Sequence, residues 1–204
     1  MRVGIFGGTF DPVHYGHLLL AEQCREQCQL DQIWFLPAGV PPHKVARTQA
    51  APRARGEMLE LALAGHEAFR VDDRELHRTT PCFTVETLRE LRQESPENEL
   101  FFLMGADSLR DFPTWREPRA IVELAQIAVV NRQAEQIASA RDALSSLLGP
   151  DLLPRIHSVT IPLIDLSSSD IRQRVRAGQS IRFMTPRAVE CYIAGQALYR
   201  DPVS

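Results

Sequence analysis

The sequence predicts an α/β fold with a doubly wound, mainly parallel sheet and helices on both faces. Three observations predict it. Apolar runs of strand length alternate with longer stretches of helical period along the whole chain. The first run, Val3 to Phe6, stops at Gly7-Gly8 and leads into a helix. A later run, Leu100 to Met104, ends in the same way at Gly105. Two glycine turns just past strand carboxyl ends lie on one edge of the sheet, where ligands of such sheets bind at the topological switch point.

In chain order, the strand at Val3–Phe6 is followed by Asp11-Pro12, a turn pair in which proline fixes φ. A helix then opens near Val13 to Tyr15 and runs through Leu18, Leu19, Ala21 and Glu22. Gln32 to Pro37 is a second strand, and a proline-rich loop follows it to Pro52. Arg53 to Ala64 is helical in period, Phe69 to Asp72 is a short or edge strand, and Thr84 to Glu94 is a helix with Val85, Leu88 and Leu91 on one face. Strands are expected at Leu100–Met104, Ile127–Val130 and Ile156–Ile161, with a short helix after Gly105. Helices are expected at Gln133–Leu148, stopped by Gly149-Pro150, at Ser169–Ala177 and at Pro186–Ala194. The last has Thr185 in place to cap it and Pro186 at its first position.

The 204 residues are expected to form a single domain, 1–204, whose stretch from about 165 onward is a C-terminal helical region. A net charge of −3 without a basic block argues against strong nonspecific nucleic-acid binding. No apolar run reaches membrane-span length, and the N-terminus lacks the apolar core of a signal peptide, so a cytoplasmic location is expected. Of the four cysteines, Cys24 and Cys28 stand four apart on a helix, but no partner ligands complete a tetrahedral set. Reduced thiols packed in the fold, and no protein metal site, are the expectation.

The chemistry concentrates at the first turn. His14 and His17 stand three apart and share one face of the helix N-terminus, beside Gly7-Gly8 and Thr9-Phe10. Bare N–H groups, the positive end of the helix dipole and two imidazoles suit phosphate. The stretch has neither GxxxxGK[ST] nor GxGxxG, so it is neither a P-loop nor the dinucleotide fingerprint. Elsewhere, Lys44 puts a cation on the loop Pro41-Pro42-His43-Lys44, while Arg53 and Arg55 read as solvated or structural charges. Thr84 is a helix cap followed by Glu86. Asp107, past Gly105, is placed to accept from ribose hydroxyls, and Trp115 offers an aromatic face on the loop Phe112-Pro113-Thr114-Trp115. In Ser167-Ser168-Ser169-Asp170-Ile171-Arg172, serines open a helix and Arg172 follows one turn on, able to fork onto phosphate.

The stretch GGTFDPVHYGHL resembles the signature of the HxGH nucleotidyltransferase superfamily, in the form similar to the bacterial nicotinate mononucleotide adenylyltransferases. PPHK, PCFTVETL, GAD, FPTW and SSSDIR extend the resemblance along the chain. It implies a Rossmann-like fold and adenylyl transfer from ATP to nicotinate mononucleotide, giving deamido-NAD and pyrophosphate. It further implies catalysis by His14, His17, Lys44 and Arg172 and an ATP site of Gly7, Gly8, Thr9, Phe10, His14, His17, Gly105, Asp107, Ser168, Ser169 and Arg172. The mononucleotide site it implies comprises Thr9, Lys44, Thr84, Asp107, Trp115 and Arg116. Mg²⁺ is expected to ride on the ATP phosphates. Both partners are then small molecules, and homo-oligomerisation stays open. The rival readings are an HxGH adenylyltransferase for phosphopantetheine, against which PPHK and FPTW speak, and a catalytically silent nucleotide-binding module.

Overall fold

The computed structural model describes residues 1–40, 50–131, 148–162 and 164–200, apart from the side chains of Asp107 and Asn131. Six strands form one sheet: β1 (Arg2–Gly8), β2 (Gln32–Pro37), β3 (Phe69–Val71), β4 (Glu99–Gly105), β5 (Gln126–Asn131) and β6 (Ile156–Thr160). Their order is β3-β2-β1-β4-β5-β6, and every neighbouring pair is parallel. The chain winds outward from β1 in one direction and from β4 in the other, so the switch point lies between these two strands. Gly8 and Gly105 end them on the same edge of the sheet, as the glycine turns predict.

Because side chains alternate along a strand, each strand feeds two cores. Phe6, Phe35, Phe101 and Leu103 belong to one, which α1 (Tyr15–Gln27), α2 (Pro52–Leu63), α6 (Ser168–Arg176) and α7 (Arg187–Gly195) cover through Ala21, Met58, Ile171 and Val189. Ile5, Trp34, Phe102 and Met104 belong to the other, covered by α3 (Thr84–Glu94), α4 (Ala106–Asp111) and α5 (Pro118–Leu124) through Leu88, Leu109 and Ile121. Each of these large side chains contributes roughly 1.5–3 kcal/mol by leaving water. One edge is managed by a side chain: Gln27 of α1 donates to the Thr160 carbonyl and accepts from the Thr160 N–H, taking the place of a neighbouring strand on β6.

The strands fall where the apolar runs place them, with three helical differences. α5 was not anticipated. Its seven residues are too few for a clear period, and it starts from Glu117 in the left-handed region (φ 52°) with Pro118 in its first turn. The last helix begins one residue late, with Pro186 as its extended N-cap, because Thr185 does not cap it. The buried Thr185 hydroxyl donates instead to the carbonyl of Val13, 2.7 Å away. Likewise Thr84 is the first residue of α3, and Phe83 is its N-cap, so Thr84 is not a side-chain cap. Of the helix expected over Gln133–Leu148, only Leu148 lies among the described residues; it is helical and buried.

Candidate active site

β1 delivers the chain to the switch point, where Gly8 and Phe10 shape the turn. Gly8 is required by close approach: a Cβ would lie 2.8 Å from the Phe10 ring. Phe10 follows in the left-handed region (φ 49°), almost wholly buried, with its ring edge-on to Phe6 and to His17. The Asp11-Pro12 bond is cis. His14 is then the extended N-cap of α1, and its backbone N–H donates to His17 Nδ1 at 3.3 Å. The two imidazoles stack, with centroids 3.7 Å apart. Gly16 permits this arrangement, since a Cβ there would stand 3.0 Å from His14 Nδ1. The HxGH spacing is thus a geometric unit: both histidines flank a helix N-terminus, and the glycine makes room for the first ring.

The C-terminal elements press this turn from the other side. The Ser168 hydroxyl donates to the Pro12 carbonyl at 2.8 Å, and Arg172 Nη1 donates to the Asp11 carbonyl at 2.8 Å. Arg172 Nη2 reaches the Ser169 hydroxyl at 3.3 Å, and its buried Nε has no partner among the described residues. Ser167 is the true N-cap of α6, accepting from the Asp170 N–H. The Ser168 proton is therefore committed to the fold, and what the serine run leaves for a ligand is its helix N-terminus.

A cavity of about 470 Å³ opens above the sheet edge, bounded by Gly7 to Phe10, His14, His17, Gly105, Trp115, Ser168, Ser169 and Arg172. A Cβ on Gly105 would meet nothing within 4 Å, so this residue faces open space. A second cavity of about 780 Å³ lies on the β2 side, bounded by Gly7 to Thr9, Phe83, Thr84, Trp115 and Arg116. The two share Gly7, Gly8, Thr9, Phe102, Ser108 and Trp115, so they meet over the end of β1. Trp115 is wedged edge-on to Phe102 at 5.9 Å, a ring held in place where the cavities join. Arg116 pairs with Glu86 at 2.8 Å and lies over the Phe83 ring.

Most of the sequence-predicted residues therefore converge. Phe10 enters the site chiefly by bracing His17. Lys44 and His43 lie outside the described residues, and for Asp107 only the backbone, in the first turn of α4, is described. Arg53 is an exposed partner of Glu57. Arg55 is fully buried and donates to the carbonyls of Thr9 (2.8 Å) and Gly39 (3.2 Å), which ties the ends of β1 and β2 together. Burial opposes its charge and lowers its pKa, an effect that nearby Asp11 only partly counters. Sequence reasoning missed Ser108, which borders both cavities, and the part played by Asp11, which reads as a turn residue. The four cysteines are free thiols, and burial pushes those of Cys24 and Cys28 up. Among the described residues there is no group of three or more His, Cys, Asp or Glu placed to hold a metal, and no helix long and apolar enough to cross a membrane.

Comparison with known proteins agrees with this geometry. Residues 5–174 match the cytidylyltransferase-like family model. The chain belongs to the cytidylyltransferase-like family. It is 46% identical over 201 residues to a probable nicotinate-nucleotide adenylyltransferase of Thermomicrobium roseum, covering 98% of this chain and 92% of that one. A probable nicotinate-nucleotide adenylyltransferase of Thermus thermophilus is 43% identical over 200 residues, covering 98% of this chain and 100% of its own. Among solved structures, the nicotinic acid mononucleotide adenylyltransferase of Plasmodium falciparum complexed with NaAD shares the fold. Its TM-score is 0.76 at 19% identity, over 97% of each chain.

Proposed function

We infer that this family member transfers the adenylyl group of Mg–ATP to nicotinate mononucleotide, forming deamido-NAD and pyrophosphate. The observation that carries the reading is the pair of cavities meeting over Gly7–Thr9, with phosphate-suited groups in the first and an aromatic face and helix N-terminus in the second. Identity of 46% over nearly the full length to a probable nicotinate-nucleotide adenylyltransferase supports the same substrates. The implied setting is the cytoplasm, where both substrates are small soluble molecules.

In this reading the first cavity takes ATP and the second takes the mononucleotide, so the 5′-phosphate of one faces the α-phosphorus of the other. A phosphate monoester is largely dianionic at neutral pH, its second pKa being about 6, so the attack needs no strong base and no enzyme nucleophile. The protein's contribution is alignment and neutralisation of charge developing on the leaving pyrophosphate. His17 acts there. A backbone N–H can only donate, so His17 Nδ1 accepts from His14 and Nε2 carries the proton of the neutral ring. His14, Lys44 and Arg172 add donors around the same phosphates. Gly105, Asp107 and the N-terminus of α6 at Ser168 and Ser169 hold the rest of ATP. Thr9, Thr84, Trp115 and Arg116 hold the mononucleotide. The first cavity is lined by imidazole, guanidinium, hydroxyl and backbone N–H groups, with Asp11 its one carboxylate among the described residues, so a Mg²⁺ ion would be carried mainly by the phosphates. That ion supplies further charge neutralisation.

The test is pyrophosphate release from ATP with three acceptors: nicotinate mononucleotide, nicotinamide mononucleotide and phosphopantetheine. Turnover fastest with the first is expected. Turnover only with phosphopantetheine, or none with any acceptor despite ATP binding, would replace this reading.

A further inference from the structure

Asp11 is almost entirely buried, yet it lies against Arg172, the guanidinium that the proposed function assigns to phosphate. Its carboxylate Oδ2 stands 4.0 Å from Arg172 Nη1. A bidentate ion pair is the strongest arrangement open to these two groups, and it would occupy the fork that phosphate needs. The structure shows a different arrangement. Arg172 Nη1 donates to the backbone carbonyl of Asp11 at 2.8 Å, and the other carboxylate oxygen is engaged elsewhere. That oxygen, Oδ1, accepts from the Tyr199 hydroxyl at 2.7 Å and from the Ala50 N–H at 3.2 Å.

Tyr199 comes from beyond the last helix, 188 residues from Asp11 in sequence, and its ring is buried in the core that underlies the site. Its backbone is in the left-handed region (φ 62°), uncommon for a bulky residue, so the surrounding structure holds it in a conformation it would not choose alone. Burial first, and the charge of Asp11 next, push its phenol well above the ordinary value, so it remains a donor throughout the working pH range.

We propose that Tyr199 is a positioning residue for adenylyl transfer: by holding the Asp11 carboxylate away from Arg172, it keeps the guanidinium available to the triphosphate. Asp11 still supplies negative charge beside the buried Arg172 and Arg55, while Tyr199 and Ala50 hold one of its two oxygens. The inference rests on the proposed function, and it predicts an effect on ATP that the mononucleotide does not share.

The experiment is steady-state kinetics of Tyr199→Phe against wild type, with each substrate varied at saturation of the other. Wild-type turnover by itself tests the proposed function. With that established, Tyr199→Phe tests the inference. The expected result is a rise in KM for ATP of about tenfold, scaled from the loss of one hydrogen bond to a charged acceptor, with KM for nicotinate mononucleotide within twofold of wild type. In an Asp11→Asn background no carboxylate competes for Arg172, so adding Tyr199→Phe should change KM for ATP less than twofold. An unchanged ATP KM in the folded single variant would overturn the proposal. So would equal loss for both substrates, or a full further loss in the Asp11→Asn background, since a purely structural tyrosine gives those results. If Tyr199→Phe folds too poorly to assay, the comparison of Asp11→Asn with the double variant, which buries no carboxylate short of a donor, decides the matter by the same criterion.

Discussion

His14 and His17 are locked to each other at the start of α1. Their rings stack at a centroid separation of 3.7 Å, and the His14 backbone N–H donates to His17 Nδ1. The second contact sets the neutral tautomer of His17, with Nε2 carrying the proton. Phe10, edge-on at 5.1 Å, restricts the ring further. A donor held this way needs little reorganisation as charge grows on a leaving phosphate.

The first expectation follows from that preorganisation. His17→Ala should lower kcat by on the order of 10²-fold or more, with a smaller change in KM for either substrate. Single-turnover and steady-state pyrophosphate release would measure it. A variant that stays folded and keeps kcat within a few fold of wild type would remove His17 from the reacting centre.

How much of this site was legible in the sequence depends on how local each feature is. The strands and the glycine turns were legible because apolar runs and Gly7-Gly8 act within a few residues. The histidine pair was legible because a three-residue spacing on a helix places two rings on one face whatever the rest of the chain does. Thr185 was misread for the opposite reason. A threonine before a proline looks like a cap, but its hydroxyl is taken by Val13, a residue 172 positions away. Asp11 likewise looks like a turn residue, and nothing local signals that Tyr199 and Arg172 converge on it. α5 was missed because one short turn sequence carries no measurable period.

Arg172 gives the second expectation. Nη1 and Nη2 reach two different acceptors, Asp11 O and Ser169 Oγ, so the planar fork aligns the group as a whole. A lysine has the charge without the fork. Arg172→Lys should therefore raise KM for ATP by about tenfold or more, roughly the worth of one charge-assisted hydrogen bond. Wild-type ATP kinetics in this variant would show that a point charge suffices.

A third expectation concerns Glu75, which borders the second cavity. Its carboxylate accepts from the Thr87 hydroxyl at 2.6 Å and is nearly buried. Burial pushes its pKa up from the ordinary 4.5, and the Thr87 hydrogen bond and the Arg78 charge only partly counter this. The folded state then binds this proton more tightly than the unfolded chain. The resulting stabilisation is complete below the unfolded value and is lost as pH rises through the folded one. Glu75→Gln should flatten that segment of the stability curve, which lies above the ordinary 4.5. Thermal midpoints of both proteins from about pH 4 to 7 would show the difference. Parallel curves would mean that Glu75 titrates alike folded and unfolded.

The last expectation is selectivity for nicotinate over nicotinamide mononucleotide. In the proposed function the pyridine ring lies in the second cavity, between Trp115 and the start of α3. Trp115 stacks on either ring equally, so it cannot discriminate. The difference must come from the ring substituent, an anionic carboxylate against a neutral amide. Thr84 is the first residue of α3, so N–H groups there lack intrahelical partners, and the dipole favours an anion. Arg116, over the Phe83 ring at 4.8 Å, adds positive charge on the same side, although its pair with Glu86 tempers it. An amide would present its own N–H₂ to one of these donors. A hydrogen bond to a charged group is worth roughly 1.5–3 kcal/mol, so kcat/KM for nicotinate mononucleotide should be at least about 10–100-fold higher. Because the charged contribution comes partly from Arg116, Arg116→Gln should narrow the ratio chiefly by weakening nicotinate use. Side-by-side kcat/KM values at saturating Mg–ATP decide both points. Equal values for the two mononucleotides in the wild type would place discrimination outside this cavity, and a preference for the amide would reverse the assignment of the helix N-terminus.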